Sequence, residues 1–296
     1  MTTLTDQPAA LALSRGGRRR PVRKTAASIG THVILIGVAL VFGYPLLWMV
    51  FGAGKRMADF FDDLWWVRLP YHWANFSDAW TTGSMGRFLL NSVIVTVASI
   101  GLNLVLVYPL AFAIARIRFP GHRVVHMIFA MCLFVPIQLM VIPLFSMSNA
   151  MGILDTYWAL ILPYTATTMP FSVVFVTAFL RSIPREIEEA ATLDGASRVR
   201  IMLRIMVPLS APAFATSVVF GFLHVWNEFL MALTLTRSPE VRTMPLGLLT
   251  FMQQQDQPDY ARIFAALSIS VIPVFAVFLA CQRQFLGGLM AGAGKL

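Results

Sequence analysis

Six stretches of the chain are almost wholly apolar: residues 30–52, 88–115, 124–147, 157–180, 209–235 and 263–283. Each is long enough to cross the ~30 Å hydrocarbon core of a bilayer as a helix rising about 1.5 Å per residue. The segments between them carry Arg, Asp, Pro and Gly, which end apolar helices. The pattern predicts an all-α integral membrane protein with six transmembrane helices. It divides the chain into a tail over 1–29, a first helix over 30–52 and a loop over 53–87. A five-helix core over 88–284 follows, interrupted by a polar loop over 181–208, and a second tail covers 285–296.

Composition agrees with this reading. Of 296 residues, 57% are hydrophobic and 12% charged, about half the ~25% charge of soluble domains. A formal net charge of +9 would point to nucleic acid in a soluble protein. Here much of it lies in RGGRRRPVRK at 15–24, beside the first apolar run, where Lys and Arg set orientation. No aromatic-and-basic surface pattern accompanies it, so no nucleic-acid partner is expected. The first run is longer than a secretory h-region and no A-x-A site follows it, so it reads as a retained span.

Orientation follows from the loop charges. With the N-terminus inside, the N-tail, the 116–123 loop, the 181–208 loop and the C-tail hold 16 Lys and Arg, against seven on the other side. The excess places both termini in the cytoplasm. Every span contains proline: Pro45, Pro109, Pro136 and Pro143, Pro163 and Pro170, Pro212, Pro273. Prolines inside a span free carbonyls that neighbouring helices or water must satisfy, as in the interrupted helices of transporters. Residues 53–87 carry Trp65, Trp66, Trp73 and Trp80, read as an interfacial belt or as contact with an external partner. The polar MQQQDQPDY at 252–260 reads as a docking loop.

Catalytic chemistry is missing. There is no phosphate-cradling G-x-x-x-x-G-K-[ST] and no nucleophile elbow, and HRVVH at 122–126 lacks the Glu of a metalloprotease helix. Cys132 and Cys281 show no metal or disulfide spacing. One carboxylate, Glu228, lies within the apolar spans, near an end, which is poor equipment for an ion-coupled carrier. Energy for any transport must therefore come from another subunit. Asn91, Asn103, Gln138, Asn227 and Glu228 either line a pathway or serve as interhelical hydrogen-bond groups. The second is favoured, and no substrate-binding residue is assigned.

The polar loop has its own logic. In RSIPREIEEAATLDGASRVRIMLRIMVP, the acids Glu186, Glu188 and Glu189 favour a helix N-terminus. Ala190 and Ala191 allow close backbone approach, and Gly195 ends or turns the helix. From Ser197 a basic, amphipathic stretch begins, with Pro208 opening the next span. Two short helices and a turn cannot bury a core alone, so the unit needs a partner.

The spacing Glu189-Ala190-Ala191, Gly195, Ile205, Val207, Pro208 resembles the EAA signature of binding-protein-dependent ABC importer permeases. Val207 stands where that family usually has Leu. FLLNSVIVTVAS at 88–99, WNEFLMAL at 226–233, TMPLGLLTF at 243–251 and the tail from 282 resemble the carbohydrate-uptake branch, most of all the shorter permease of the maltose type. The resemblance implies a type I ABC importer transmembrane fold, spanning the bacterial cytoplasmic (inner) membrane several times, and a permease without enzymatic activity. It implies a cytoplasmic ATPase dimer that binds ATP and Mg, a second permease in a heterodimer, an external solute-binding protein and surrounding lipid as partners. This chain would hold no cofactor or metal. Glu189, Ala190, Ala191, Asp194, Gly195, Ile205 and Pro208 would form the ATPase-coupling loop, and the Gly-rich tail would reach between the ATPase subunits. The implied solute is a sugar or oligosaccharide, with glycerol 3-phosphate or another small polar solute as the alternative.

Overall fold

A computed structural model describes residues 22–63, 65–117, 119–253 and 258–293, with the side chains of 22–29 and 282–293 excepted. The chain divides into two units, Met1–Leu47 and Trp48–Leu296. Helix α1 (Val22–Ala53) runs from the first into the second. Its described side chains in the first unit are nearly all exposed, Phe42 at 75% among them. The second unit contains α2 (Ala74–Thr81), α3 (Met85–Arg116), α4 (His122–Cys132), α5 (Ile137–Ala150) and α6 (Tyr157–Ser182). It continues with α7 (Glu186–Leu193), α8 (Arg198–Arg200), a π-helical stretch Ile201–Met206, α9 (Val207–Leu209) and α10 (Ala211–Trp226). The last elements are α11 (Leu230–Leu235), α12 (Met244–Gln253) and α13 (Tyr260–Ala293).

The surface is inverted relative to a soluble protein. Large apolar side chains such as Phe134, Ile142 and Val105 are 86%, 77% and 70% exposed, an arrangement suited to hydrocarbon. The helix interfaces are instead polar and small. α3 turns Asn91, Ser92, Thr96, Ser99 and Asn103 inward, and α6 answers with Thr165, Thr168, Ser172 and Thr177. Such residues let backbones approach closely and hydrogen-bond between helices. The Asn103 amide donates to Thr168 Oγ1 at 2.9 Å, and Thr165 Oγ1 donates to the carbonyls of Ile161 at 2.7 Å and Ser99 at 3.3 Å.

Two of the six predicted spans are not single helices. The segment 124–147 is α4 and α5, bent by 104°. Pro136 supplies no N–H and disfavours α conformation at Val135; it is extended at φ −63°, ψ 127°, while Leu133, Phe134 and Val135 close tight i→i+3 turns before it. The segment 209–235 stops at Trp226 and resumes at Leu230. There the Glu228 carboxylate accepts from the N–H groups of Met231 (2.9 Å) and Ala232 (3.2 Å) and from Tyr164 Oη (2.7 Å), capping α11. A further bend of 72° separates α8–α9 from α10. The other four spans are the continuous helices Gly30–Ala53, Met85–Arg116, Tyr157–Ser182 and Tyr260–Cys281.

The loop after α1 is folded, not free. Asn75 Nδ2 donates to the carbonyls of Ala53 (2.8 Å) and Lys55 (2.7 Å), and Tyr71 Oη donates to Val50 O (2.7 Å). Trp65, Trp66 and Trp73 stay exposed on it. α13 continues as helix to Ala293, whereas residues 1–21 of the basic N-tail, 254–257 and 294–296 lie outside the described residues.

Candidate functional site

The polar loop between α6 and α10 adopts the two helices and turn expected of it. α7 begins with Glu186, Glu188 and Glu189 in its first turn, where carboxylates oppose the positive end of the helix dipole. It ends in a Schellman arrangement. Ala196 N–H donates to Ala191 O and Gly195 N–H to Thr192 O, each at 3.0 Å, and Gly195 sits at φ +80°. A Cβ at that angle is strained, so glycine is the residue that allows the turn. Ser197 then caps the second helix, its Oγ accepting from Arg200 N–H at 3.4 Å.

α7 has an inner and an outer face. On the inner side, Ala191 is buried in a cluster with Tyr108, Phe112, Ile201, Met206 and Ala213. Beside it the Glu188 carboxylate pairs with Arg116 Nε at 2.8 Å, the two side chains being 19% and 5% exposed. Arg116 ends α3 and also donates through Nη2 to the carbonyls of Leu180 and Ile183, the latter at 2.8 Å. One guanidinium thus ties the end of α3, the end of α6 and the inner face of α7. The outer face holds Glu189, Ala190 and Asp194, all exposed, and Leu193, which is 89% exposed. The Glu189 carboxylate has no hydrogen-bond or ion-pair partner among the described residues. Leu193 follows Glu189 by four residues, so the two share this exposed face.

The seven predicted coupling residues therefore separate into groups. Glu189, Ala190, Asp194 and Gly195 lie on the exposed side or the turn of α7, and Ala191 is the buried one. Ile205 is half-buried against the same cluster as Ala191. Pro208 is exposed in α9, directly after the π-helical stretch; lacking an N–H, it leaves the α register of the preceding turn one bond short. Sequence reasoning missed Arg116 and Glu188 as a pair, and Tyr108, whose Oη reaches Met202 O at 3.4 Å and receives Ser210 Oγ at 3.3 Å. No spacing rule links such distant positions.

The polar candidates in the spans are mostly engaged. Asn91 donates to the carbonyls of Glu240 (2.8 Å) and Arg242 (2.9 Å) and accepts from Tyr157 Oη (2.8 Å). Asn227 donates to Leu223 O at 2.8 Å, whereas Gln138 is exposed. A cavity of about 410 Å³ opens at the α4–α5 break, lined by Thr167, Thr168, Phe171, Ser172, Phe220 and His224 among mainly apolar groups. Among the described residues no three His, Cys, Asp or Glu side chains gather as metal ligands. At the opposite end from α7, Asp155 joins the α5–α6 turn to the α11–α12 loop. Its Oδ1 accepts from the N–H groups of Arg237 (2.7 Å) and Ser238 (2.9 Å), and its Oδ2 from Ser238 Oγ (2.7 Å). Burial pushes this carboxyl up, but those hydrogen bonds and the Arg237 charge outweigh it and hold the acid below its ordinary range.

Residues 107–286 match the model of the family described as binding-protein-dependent transport system inner membrane component. The chain is 34% identical over 278 residues to the probable ABC transporter permease protein YurM of Bacillus subtilis, covering 94% of this chain and 91% of that protein. It is 33% identical over 265 residues to the diacetylchitobiose uptake system permease protein NgcG of Streptomyces coelicolor, covering 88% and 87%. It also matches the sulfoquinovosyl glycerol transport system permease protein SmoH of Agrobacterium fabrum at 30% identity, over 100% of each chain. Among solved structures, a chain of a bacterial ABC transporter involved in import of the acidic polysaccharide alginate aligns at 21% identity. The TM-score is 0.76, and the alignment covers 89% of this chain and 98% of that one.

Proposed function

The chain belongs to the binding-protein-dependent transport system inner membrane components, and from that premise we propose that it is the permease subunit of an ATP-driven importer for a sugar or oligosaccharide. Relatives named for diacetylchitobiose and sulfoquinovosyl glycerol support the solute class over glycerol 3-phosphate. An external binding protein delivers the solute, a second permease completes the pathway, and a separate ATPase dimer binds ATP and Mg. The excess of Lys and Arg on one side supports cytoplasmic termini and a cytoplasmic α7.

The observation that carries this reading is the two-faced α7. Its inner face is anchored to α3 and α6 through Glu188 and Ala191, so a push on the outer face is transmitted to two membrane helices. Glu189, Ala190 and Leu193 form that outer face, and Glu189 makes a charge-assisted contact to the ATPase subunit. Asp194 and Gly195 set the turn behind it, and Ile205 and Pro208 carry the second helix back to α10. Glu189→Lys should abolish uptake while the subunit still inserts and pairs with the second permease. Normal uptake in that variant would remove Glu189 from the coupling surface.

A further inference from the structure

The cavity at the α4–α5 break lies at membrane depth, and its walls carry polar groups that hydrocarbon would leave unpaired. Leu133 and Val135 line it and belong to the turns between the two helices, near the middle of the apolar segment 124–147. Irregular backbone is tolerated at that depth only where protein buries it or where it borders a water-filled cavity. The α6 wall has a similar deficit. Pro170 has no N–H to offer the carbonyl of Ala166 four residues earlier, and both residues line the cavity. From α10, the His224 ring also lines it; the residue is exposed, and no hydrogen bond joins its ring to another described residue. An imidazole can donate from one nitrogen and accept at the other. An acyl chain would satisfy none of these groups. An occupant rich in hydroxyls would.

Beside the polar groups stands an aromatic wall. Phe220 lies one helical turn before His224 on α10 and is 46% exposed. Its ring meets that of Phe171 on α6 with centroids 4.4 Å apart. Thr167, one turn before Phe171, and Ser172 add hydroxyl groups to the same wall. Aromatic faces suit the C–H face of a pyranose ring, while the imidazole and hydroxyls suit its polar rim. The volume of about 410 Å³ falls within the roughly 300–1,000 Å³ of small-molecule sites. Charge is what the wall lacks. Among the described residues no Arg, Lys, Asp or Glu lines the cavity, so a carboxylate, sulfonate or phosphate would enter without a counter-charge and lose its hydration. We propose that this cavity is a solute subsite selecting uncharged saccharides, with Phe171 and Phe220 against the sugar face and His224 hydrogen-bonded to a sugar hydroxyl. This assignment rests on the chain being an importer permease, and it adds contact residues and a narrower solute class to that reading.

The test uses the complete transporter, with its partner subunits and binding protein, in proteoliposomes. Uptake of labelled uncharged disaccharides (trehalose, cellobiose and diacetylchitobiose) is compared with uptake of the charged digalacturonate and trehalose 6-phosphate. Wild type should import at least one uncharged disaccharide and neither charged one. Phe220→Ala and His224→Ala should each lower the initial uptake rate of that sugar roughly tenfold, the size of one lost contact. ATP hydrolysis stimulated by the loaded binding protein should stay within twofold of wild type in both. Phe220→Trp and His224→Gln, which keep an aromatic face and a hydrogen-bonding group, should retain most of the uptake. Import of a charged disaccharide by wild type as fast as the best uncharged one would overturn the proposal, and so would wild-type uptake by both alanine variants. Loss of the second permease from the purified alanine variants would assign the cavity to subunit packing instead. Absence of any binding-protein stimulation of ATP hydrolysis in wild type would overturn the permease reading itself.

Discussion

Replacing Glu188 by Ala tests how α7 is held. The change removes one partner of an ion pair whose Arg116 side chain is 5% exposed. Breaking a fully buried pair costs about 3–5 kcal/mol, because the remaining charge is left without compensation. Here Glu188 is 19% exposed and Arg116 keeps the carbonyls of Leu180 and Ile183. The loss is then well below that of a fully buried pair, about 2 kcal/mol, because the charge left behind keeps polar partners. An eight-residue helix has no independent stability, so the loss falls on the docking of α7 and not on the whole bundle. Amide exchange over residues 187–193 of the permease pair should speed up by roughly 30-fold, with the exchange of α3 and α6 near their centres unchanged. Binding-protein-stimulated ATP hydrolysis should fall together with uptake. The reversed pair Arg116→Glu with Glu188→Arg should not restore protection, since a carboxylate at 116 would face the two carbonyls. Protection of α7 within twofold of wild type in Glu188→Ala would refute the anchoring argument, and so would full rescue by the reversal.

Two further outcomes follow from local geometry. Gly195→Ala places a Cβ at φ +80° and should cost about 1–2 kcal/mol of α7 docking; nothing lies within 4 Å of that Cβ, so exchange protection should fall through backbone strain alone, and an unchanged profile would exclude it. At the other end, the Asp155 carboxyl lies below its ordinary value in the folded chain. Its stabilisation is therefore full above the unfolded value and disappears as pH falls through the folded one. The difference in thermal midpoint between wild type and Asp155→Asn should shrink as pH drops below about 4, and a gap that does not change with pH would contradict this.

The breaks in the membrane helices show where the hydrophobic pattern stops being informative. Residues 124–147 and 209–235 are as apolar as their neighbours, and length alone makes each a span. Pro136 is visible as a possible interruption, but so are Pro109, Pro163 and Pro170, which sit inside continuous α3 and α6. A proline frees a carbonyl and removes a donor; whether the helix then kinks or continues depends on what neighbouring helices supply. The second break depends on Glu228 meeting Tyr164, a partner 64 positions away. Only the assembled bundle brings the two together.

The polar loop divides along the same line. Its helix start, its Gly195 stop and its exposed acids are local features, readable because capping and turn chemistry act over four or five residues. Its anchoring is not local. Arg116 looks like a topology charge at the end of a span, and Glu188 looks like one acid of three favouring a helix start. Each reading is correct and incomplete. The side chain of Glu188 points along α7 toward α3, whereas Glu189, one residue further and about 100° around the helix, points outward. Adjacent glutamates thus take opposite places, Glu188 paired with Arg116 of the membrane bundle and Glu189 exposed where the proposed ATPase contact would form. For that reason Glu188→Ala and Glu189→Lys should fail differently: the first loosens α7 on its own permease, and the second leaves α7 docked while uptake stops.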